Sequence, residues 1–481
     1  MMGADIVVTT VADEVANAEY GTEVIPGSFR DAVDKAQSGD VIKFNAPDGN
    51  TIALKGTIGF SGAGKVLVVD GINAATGNPI IITKSDEAKL TDRAINIANG
   101  SGSNDINITL KNLSFENIVS QANGACISSG NSAYQTLGPI VNVTLESCQF
   151  KNNEGRIPVG SSSGGGGVYM VSHGTNLVIK NCLFVGNKQT FTDSEADSRS
   201  VAYGGGVISS TGNNTSKLVV INSTFADNSS KSRGGSIFIG SSADLINCTF
   251  VGNSASQGGG FYFHNNNPIN IFNCIFTNNH SKLADYEAQA DLSRNNGTFT
   301  ISHSLIGATN VPDVTSFPNT VLYQAGQPLF VAYETSSYGI SVPVLANNGG
   351  LFPTAALVAD GLASGTGTAS VAGFDIPTTD QRGATRLTPP SIGAYEYGGV
   401  LTNIQEVQTS TAAVTISVAA GQIVIAAENQ GIARVYSLSG AQVAQTAVNG
   451  VATVALPKGV YIVKFVETAG SASGIAKVLL N

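Results

Sequence analysis

Apolar residues in this chain recur in a fixed frame around one aromatic. The segments NLSFENI, SCQFKNN, NCLFVGN, NSTFADN, NCTFVGN and NCIFTNN put Phe115, Phe150, Phe184, Phe225, Phe250 and Phe276 at one point of a repeat, with Ile306 in a degenerate seventh copy. By subtraction, successive anchors lie 35, 34, 41, 25, 26 and 30 residues apart. A unit of roughly 25 residues carrying insertions fits this spread, as in repeat arrays that place their insertions on one face. Seven and five positions before the anchor stand Ile108 and Leu110, Val143 and Leu145, Leu177 and Ile179, Leu218 and Val220, and Ile269 and Ile271. Alternation with period two predicts a β-strand.

The next inward positions are two before the anchor and the anchor itself, as in Cys182 and Phe184, so the alternation slips by one residue. In a continuous strand such a slip would turn every later side chain to the opposite face. The chain must therefore turn a corner. Asn112, Asn181, Asn222, Asn247 and Asn273 stand there, and Asn tolerates a left-handed backbone. A second Asn column follows the anchor by three, at Asn153, Asn187, Asn228, Asn253 and Asn279. A third strand then opens on small residues, as in Gly205-Gly206-Val207-Ile208, Gly234-Gly235-Ser236-Ile237 and Gly259-Gly260-Phe261-Tyr262.

Three strands per unit with inward positions at equal offsets predict an all-β fold, a right-handed parallel β-helix whose coils stack at ~4.8 Å. Val41 to Phe44, Ile52 to Leu54, Val66 to Val69, Ile80 to Thr83 and Ala94 to Ile97 predict lower coils. Solenoids need capped ends. Ser28 to Gln37 carries Phe29, Ala32, Val33 and Ala36 at helical spacing between a Ser28 N-cap and Gly39, which predicts an N-terminal helical cap. The predicted domains are residues 1–310 (β-helix with this cap), 311–400 (Pro- and Gly-rich closure of the other end) and 401–481, where short alternating segments separated by turn signals predict a small β-sandwich.

Composition sharpens this picture. The 481 residues include 56 Gly and no Trp, only 12% are charged, and the formal net charge is -9. Average usage is about 7% Gly and about 25% charged residues. Like charges stacked one coil apart would repel, which accounts for the shortage. No run approaches the ~18 apolar residues of a membrane helix, the acidic balance argues against a nucleic-acid partner, and 42% hydrophobic content argues against disorder. The first twenty residues lack a basic start followed by an apolar run, so no signal peptide is expected in this chain. Five Cys make an odd count and no disulfide framework.

Three families are resembled. The alternation of Phe225-Ala-Asp-Asn228, Phe250-Val-Gly-Asn253 and Phe276-Thr-Asn-Asn279 with Gly234-Gly-Ser-Ile237 resembles the repeats of polymorphic outer-membrane proteins, which are β-helical adhesins of the pectin-lyase-like fold class. Residues 340–397, ending in Asp380-Gln-Arg-Gly383 and Ser391-Ile-Gly-Ala-Tyr-Glu-Tyr397, resemble the choice-of-anchor Q segment of bacterial surface proteins. Residues 414–481, with ARVYSLSG, LPKGVYIVKF and AKVLLN, resemble the C-terminal sorting domain of type IX secretion in Bacteroidetes. Each resemblance implies export to the outer-membrane surface or the medium, and none fixes a chemistry.

Candidate chemistry gathers in the insertions. Cys148, Cys182, Cys248 and Cys274 share an inward position beside Phe and read as small core residues, and the Asn columns read as stacked amides bonded to corner backbone. The four His are scattered in the pattern and read as structural or surface residues, not catalytic ones. The stretches 156–167 and 188–204 interrupt adjacent coils at one point, so they should lie side by side. They supply Arg156 and then Asp193, Glu195, Asp197, Arg199 and Tyr203, with Lys231 and Arg233 at the matching corner of the next coil. Carboxylates beside cations suit glycan binding, and the acidic insertion could take calcium, although no metal or cofactor is otherwise expected. A monomeric surface protein is expected, binding a glycan or host-surface ligand through these loops without catalysis. The alternatives are a lyase or glycosidase acting on acidic polysaccharide, which would use the same groove, and a plain structural spacer. Ile221, Ile246 and Phe272 form an outward apolar stripe, which predicts that residues 311–397 fold back over it.

Overall fold

The computed structural model describes residues 3–16, 23–62, 64–98, 105–130, 141–158, 167–171, 174–192, 204–210, 216–324, 326–336, 338–401, 414–419, 422–437, 442–457, 459–467 and 473–480. The chain divides into two compact units, Met1–Leu401 and Thr402–Asn481.

In the first unit each repeat threads parallel strands. The copy at Phe225 runs through a long strand (Lys217–Ile221), an anchor strand (Thr224–Ala226), a short strand (Ser229–Ser230) and a return strand (Ile237–Ile239). Each pairs in parallel with its counterpart one repeat on, Lys217 with Ser242, Phe225 with Phe250, Ser229 with Ser254 and Ile237 with Phe261. The long-strand stack is unbroken from Asp5–Val8 to Thr298–Ser302. The short strand is an addition to the three strands the pattern predicts. At two residues in several copies it is too brief to show an alternation.

Corner chemistry sets this path. Asn112, Asn181, Asn222, Asn247 and Asn273 all adopt φ between 48° and 58°, the left-handed region Asn tolerates. A second left-handed corner follows two residues after the anchor, at Asn117, Asn152, Gly186, Asp227, Gly252 and Asn278.

The anchor rings then stack face to face. From Phe115 to Phe276 successive centroids are 4.6 to 4.8 Å apart at interplanar angles of 2° to 8°, which is the coil spacing. The cysteines beside them are buried free thiols. The inner Asn column forms one hydrogen-bonded ladder. Asn153 Nδ2 donates to Asn187 Oδ1 at 2.9 Å, and the pattern repeats from Asn187 to Asn228, Asn228 to Asn253 and Asn253 to Asn279. Asn279 ends it by donating to Asp291 Oδ1 at 2.7 Å. The other proton of each amide goes to the anchor carbonyl one coil behind, from Phe115 to Phe250.

At the N-terminal end the predicted helix spans Phe29–Lys35, with Ser28 Oγ accepting from Asp31 N at 3.2 Å and Phe29, Ala32 and Val33 buried. Arg30 bonds Asp13 through Nε at 2.9 Å and Nη2 at 2.8 Å beneath it. At the other end Val311 and Val314 join the main core. The residues that follow leave the end and run along the side of the stack. Tyr323, Leu329, Phe330, Ala355, Leu357 and Ile392 build a second core with the outward Ala226, Val251, Ile275 and Leu305. Phe374 meets Phe272 edge-on at 4.7 Å, and Ile246 and Phe272 are buried while Ile221 is half-buried. The fold-back predicted from the apolar stripe is therefore observed. A buried ionic clasp pins it. Arg382 Nη2 donates to Asp380 Oδ2 at 2.7 Å, and Arg386 reaches Glu396 at 3.3 Å and Asn222 Oδ1 at 2.9 Å.

The second unit is one antiparallel sheet of five strands, Val414–Ala419, Gln422–Ser437, Gln442–Val454, Gly459–Glu467 and Ser473–Leu480. Asn449-Gly450, a hairpin signal in the sequence, lies inside a strand. Gly450 at φ 82° faces Ala427 where the register shifts, and residues 428–430 of the partner strand bulge opposite Asn449, so the pair makes no turn.

Candidate functional site

Arg156 lies on the strand Glu154–Ile157, exposed, with Nε and Nη2 donating to the Glu154 carboxylate at 3.0 and 3.1 Å. Thr190 Oγ1 donates to the same carboxylate at 2.7 Å. Arg156 pairs with Thr190, and Lys231 extends the same stack through its N–H to Gln189 O at 3.1 Å. Arg156 and Lys231 thus share one face, two coils or ~10 Å apart. Asp193, Glu195, Asp197, Arg199 and Tyr203, and with them the acidic calcium candidate, lie outside the described residues. So does His173. Among the described residues no cluster of His, Cys, Asp or Glu is placed to hold a metal ion.

Arg233 turns onto the adjoining face. It bridges to Gln257 where the chain enters the return strand, and its guanidinium lies 5.4 Å above the Tyr262 ring. Gly204, where the second insertion rejoins the stack, abuts it so closely that a Cβ there would come within 2.2 Å of the Arg233 carbonyl. Tyr262 stacks on Phe238 at 5.6 Å and 6°, and Phe238 contacts the His264 ring at 5.5 Å. These aromatics arise from register. Ile237–Ile239 and Phe261–Phe263 pair residue for residue, so their middle side chains stack outward on one row. Both rings are buried.

Beyond His264 opens a polar cleft of about 490 Å³, lined by His264, Asn265, Asn266, Asn267, Asn295 and Asn296. Phe263 pairs with Arg294 across adjacent coils, so the two Asn-rich turns that follow lie one above the other. Asn265 Nδ2 and Asn267 Nδ2 both donate to Gly240 O, at 3.0 and 2.7 Å, which fixes the floor. Asn266 and Asn296 are exposed. Burial pushes the His264 imidazole below its usual range and the Arg233 charge adds to this, so the ring is neutral at pH 7. Five amides and a neutral imidazole present paired donors and acceptors without formal charge, a lining suited to hydroxyl groups.

The sequence reading reached Arg233, at the border of this cleft, and missed the cleft itself. The signal was present as Asn265-Asn266-Asn267 directly after one return strand and Asn295-Asn296 directly after the next. No family model and no curated protein matches the chain.

Proposed function

We propose that this is a surface-displayed or secreted right-handed parallel β-helix with a small C-terminal β-sandwich, which binds a glycan on the side of the solenoid and acts as an adhesin-like binding module, not an enzyme. The observation that carries the reading is the Asn-lined cleft at His264, beside Arg233 and the point where the second insertion rejoins the stack. Side-chain amides pair with vicinal hydroxyls as donor and acceptor together, and the neutral imidazole adds a single ring nitrogen, since His264 Nδ1 is buried. The closed succession of long, anchor, short and return strands supports the β-helix. A sandwich is supported by the strand Gln422–Ser437, whose first half pairs with Val414–Ala419 and whose second half pairs with Gly459–Glu467. Export is supported by the resemblances at Asp380-Gln-Arg-Gly383, Ser391 to Tyr397 and the final sorting-like segment. The direct test is a glycan array followed by calorimetry with the wild type and His264→Ala/Asn296→Ala. Binding that falls at least tenfold in the variant supports the reading. A chain that retains no glycan, or a variant that binds as well as the wild type, removes it.

A further inference from the structure

The second corner of the repeat holds a neutral residue in five described coils, Asn117, Asn152, Gly186, Gly252 and Asn278. In the Phe225 coil it holds a carboxylate, Asp227, at φ 52°. Gly186 and Gly252 occupy this corner in the coils before and after it, so the space beside the carboxylate is open to another segment. That segment is the hairpin of strands Tyr333–Thr335 and Ser341–Pro343. It is seated by three contacts. Val342 packs where a Cβ on Gly252 would stand, the Tyr338 hydroxyl bonds Ser229 Oγ at 2.7 Å, and the Lys282 ammonium lies 5.3 Å from the Tyr338 ring. Beneath the hairpin, Asp227 Oδ1 is buried without a hydrogen-bond partner. A buried carboxylate oxygen with nothing to accept from is costly while ionised and much less so once protonated.

The groups facing Asp227 are Lys188 from the preceding coil, and Ser336 and Glu334 from the hairpin. The following coil presents Val251 and Gly252, which carry no charge. One cation and one further carboxylate therefore meet it, and neither closes an ion pair with it among the described residues.

We propose that the hairpin 333–343 is a pH-responsive strap that closes over the short-strand face when Asp227 is protonated and loosens when Asp227 ionises opposite Glu334. Burial pushes the Asp227 carboxyl up to about 6, and Glu334 adds to the rise against the opposing pull of Ser336 and Lys188. With the strap open the carboxyl returns to its ordinary value near 3.8. The closed form binds the proton more tightly, so closure is favoured most below about pH 4 and the advantage is lost as pH rises through 6. The full shift corresponds to a change of roughly 100-fold in the closing equilibrium, which partial exposure of the carboxyl reduces to about tenfold. The strap covers Ser229 on the face that also carries Arg156 and Lys231, so opening it uncovers more of that face.

Hydrogen exchange of the full chain, read by mass spectrometry at pH 5 and pH 7.5 with intrinsic rates corrected, tests this. Peptides covering 330–345 should open about two- to fivefold more often at pH 7.5, while those covering Val141–Glu146 stay unchanged. Asp227→Asn, an amide that other coils carry at this same corner, should hold the strap closed and equally protected at both values. Glu334→Gln should keep the response but shift its midpoint downward. A wild-type strap indifferent to pH, or the wild-type response persisting in Asp227→Asn, overturns the proposal. Should Asp227→Asn fold poorly, a Glu334→Gln midpoint equal to that of the wild type overturns it as well.

Discussion

Truncating one rung of the inner Asn ladder should cost far more than removing the same atoms from the outer face. Asn228 donates to Phe184 O at 3.0 Å and Asn253 Oδ1 at 2.9 Å, and its own Oδ1 accepts from Asn187 N at 3.0 Å and Asn187 Nδ2 at 2.9 Å. In Asn228→Ala, Asn253 Oδ1 keeps the backbone N–H of residue 228. Two donors lose their acceptor in a fully buried place, the Asn187 N–H and one Asn187 amide proton. At about 1–3 kcal/mol for each orphaned group, the loss is about 2–6 kcal/mol. Asn142 supplies the control. It also belongs to an amide ladder, donating to Asn107 Oδ1 and accepting from Asn176, each at 3.0 Å, but on the half-buried outer row. Water can replace those bonds, so Asn142→Ala should cost no more than about 1 kcal/mol.

The assay is guanidinium denaturation of both variants followed by circular dichroism, with hydrogen exchange to localise the loss, because long arrays can depart from a two-state transition. Exchange should rise around Cys182 to Phe250 in Asn228→Ala and nowhere in Asn142→Ala. Asn228→Asp should be worse than Ala at pH 7, since one carboxylate oxygen would face the Phe184 carbonyl and Asn253 Oδ1, both acceptors. Equal costs for Asn228→Ala and Asn142→Ala would refute the argument that buried amide pairing holds the coils in register.

Three further outcomes are expected. Burial pushes the Asp291 carboxyl up to about 7 despite donors at Asn279 N, Asn279 Nδ2 and Ala308 N. Its folded value exceeds its unfolded value near 3.8, so its contribution is full below pH 4 and is lost as pH rises through 7, up to about 4 kcal/mol. Denaturation midpoints between pH 4.5 and 8 should show this slope, and its survival in Asp291→Asn would rule out this group as the source. Arg386→Met leaves the Glu396 carboxylate buried and uncompensated, which costs about 3–5 kcal/mol. It should appear as lost exchange protection over 378–401 with the coils before Phe184 unchanged. The five buried thiols should resist alkylation in the native chain and all react in guanidinium, since burial also raises Cys126, Cys182 and Cys274. Incomplete alkylation of the unfolded, unreduced chain would mean that some are paired.

The repeat was legible because its physics is periodic. One Phe per coil, an Asn at most left-handed corners and a Cys or Ser beside the ring recur at fixed offsets, and the stripe Ile221, Ile246, Phe272 already asked for a cover. A second trace of that cover lies on the anchor strands, where the outward residue changes from Glu116 and Lys151 in earlier coils to Ala226 and Val251 under it. The short strand was not legible, since two residues cannot display a period. Nor was the cleft, because Asn265 to Asn267 and Asn295 to Asn296 resemble ordinary turn residues until register stacks one turn on the other. Arg233 was reached by its charge alone, while the aromatic row beneath it follows from pairing across coils.

Charge on the outer rows of the array alternates in sign, as Asp70, Lys111, Glu146 and Lys180 do on successive long strands, while buried charge sits where the repeat stops. At the inward positions one residue type is copied every ~4.8 Å, so a charge copied there would meet its own kind above and below. At a singular position that objection disappears. Arg30 and Asp13 meet once, under the N-terminal helix. The Asn ladder donates always in one direction and would end on an Asn279 proton with no acceptor. Asp291 serves there because its oxygens accept all three N–H groups that reach it. Asp380, Arg382, Arg386 and Glu396 likewise occur once, in the segment that leaves the stack and returns along its side. Asp227 avoids such a meeting within the array itself. It is a charge at a repeated corner, spared from repulsion because its neighbours there are Gly186 and Gly252, and it lies under the hairpin that folds back from the non-repeating part of the chain.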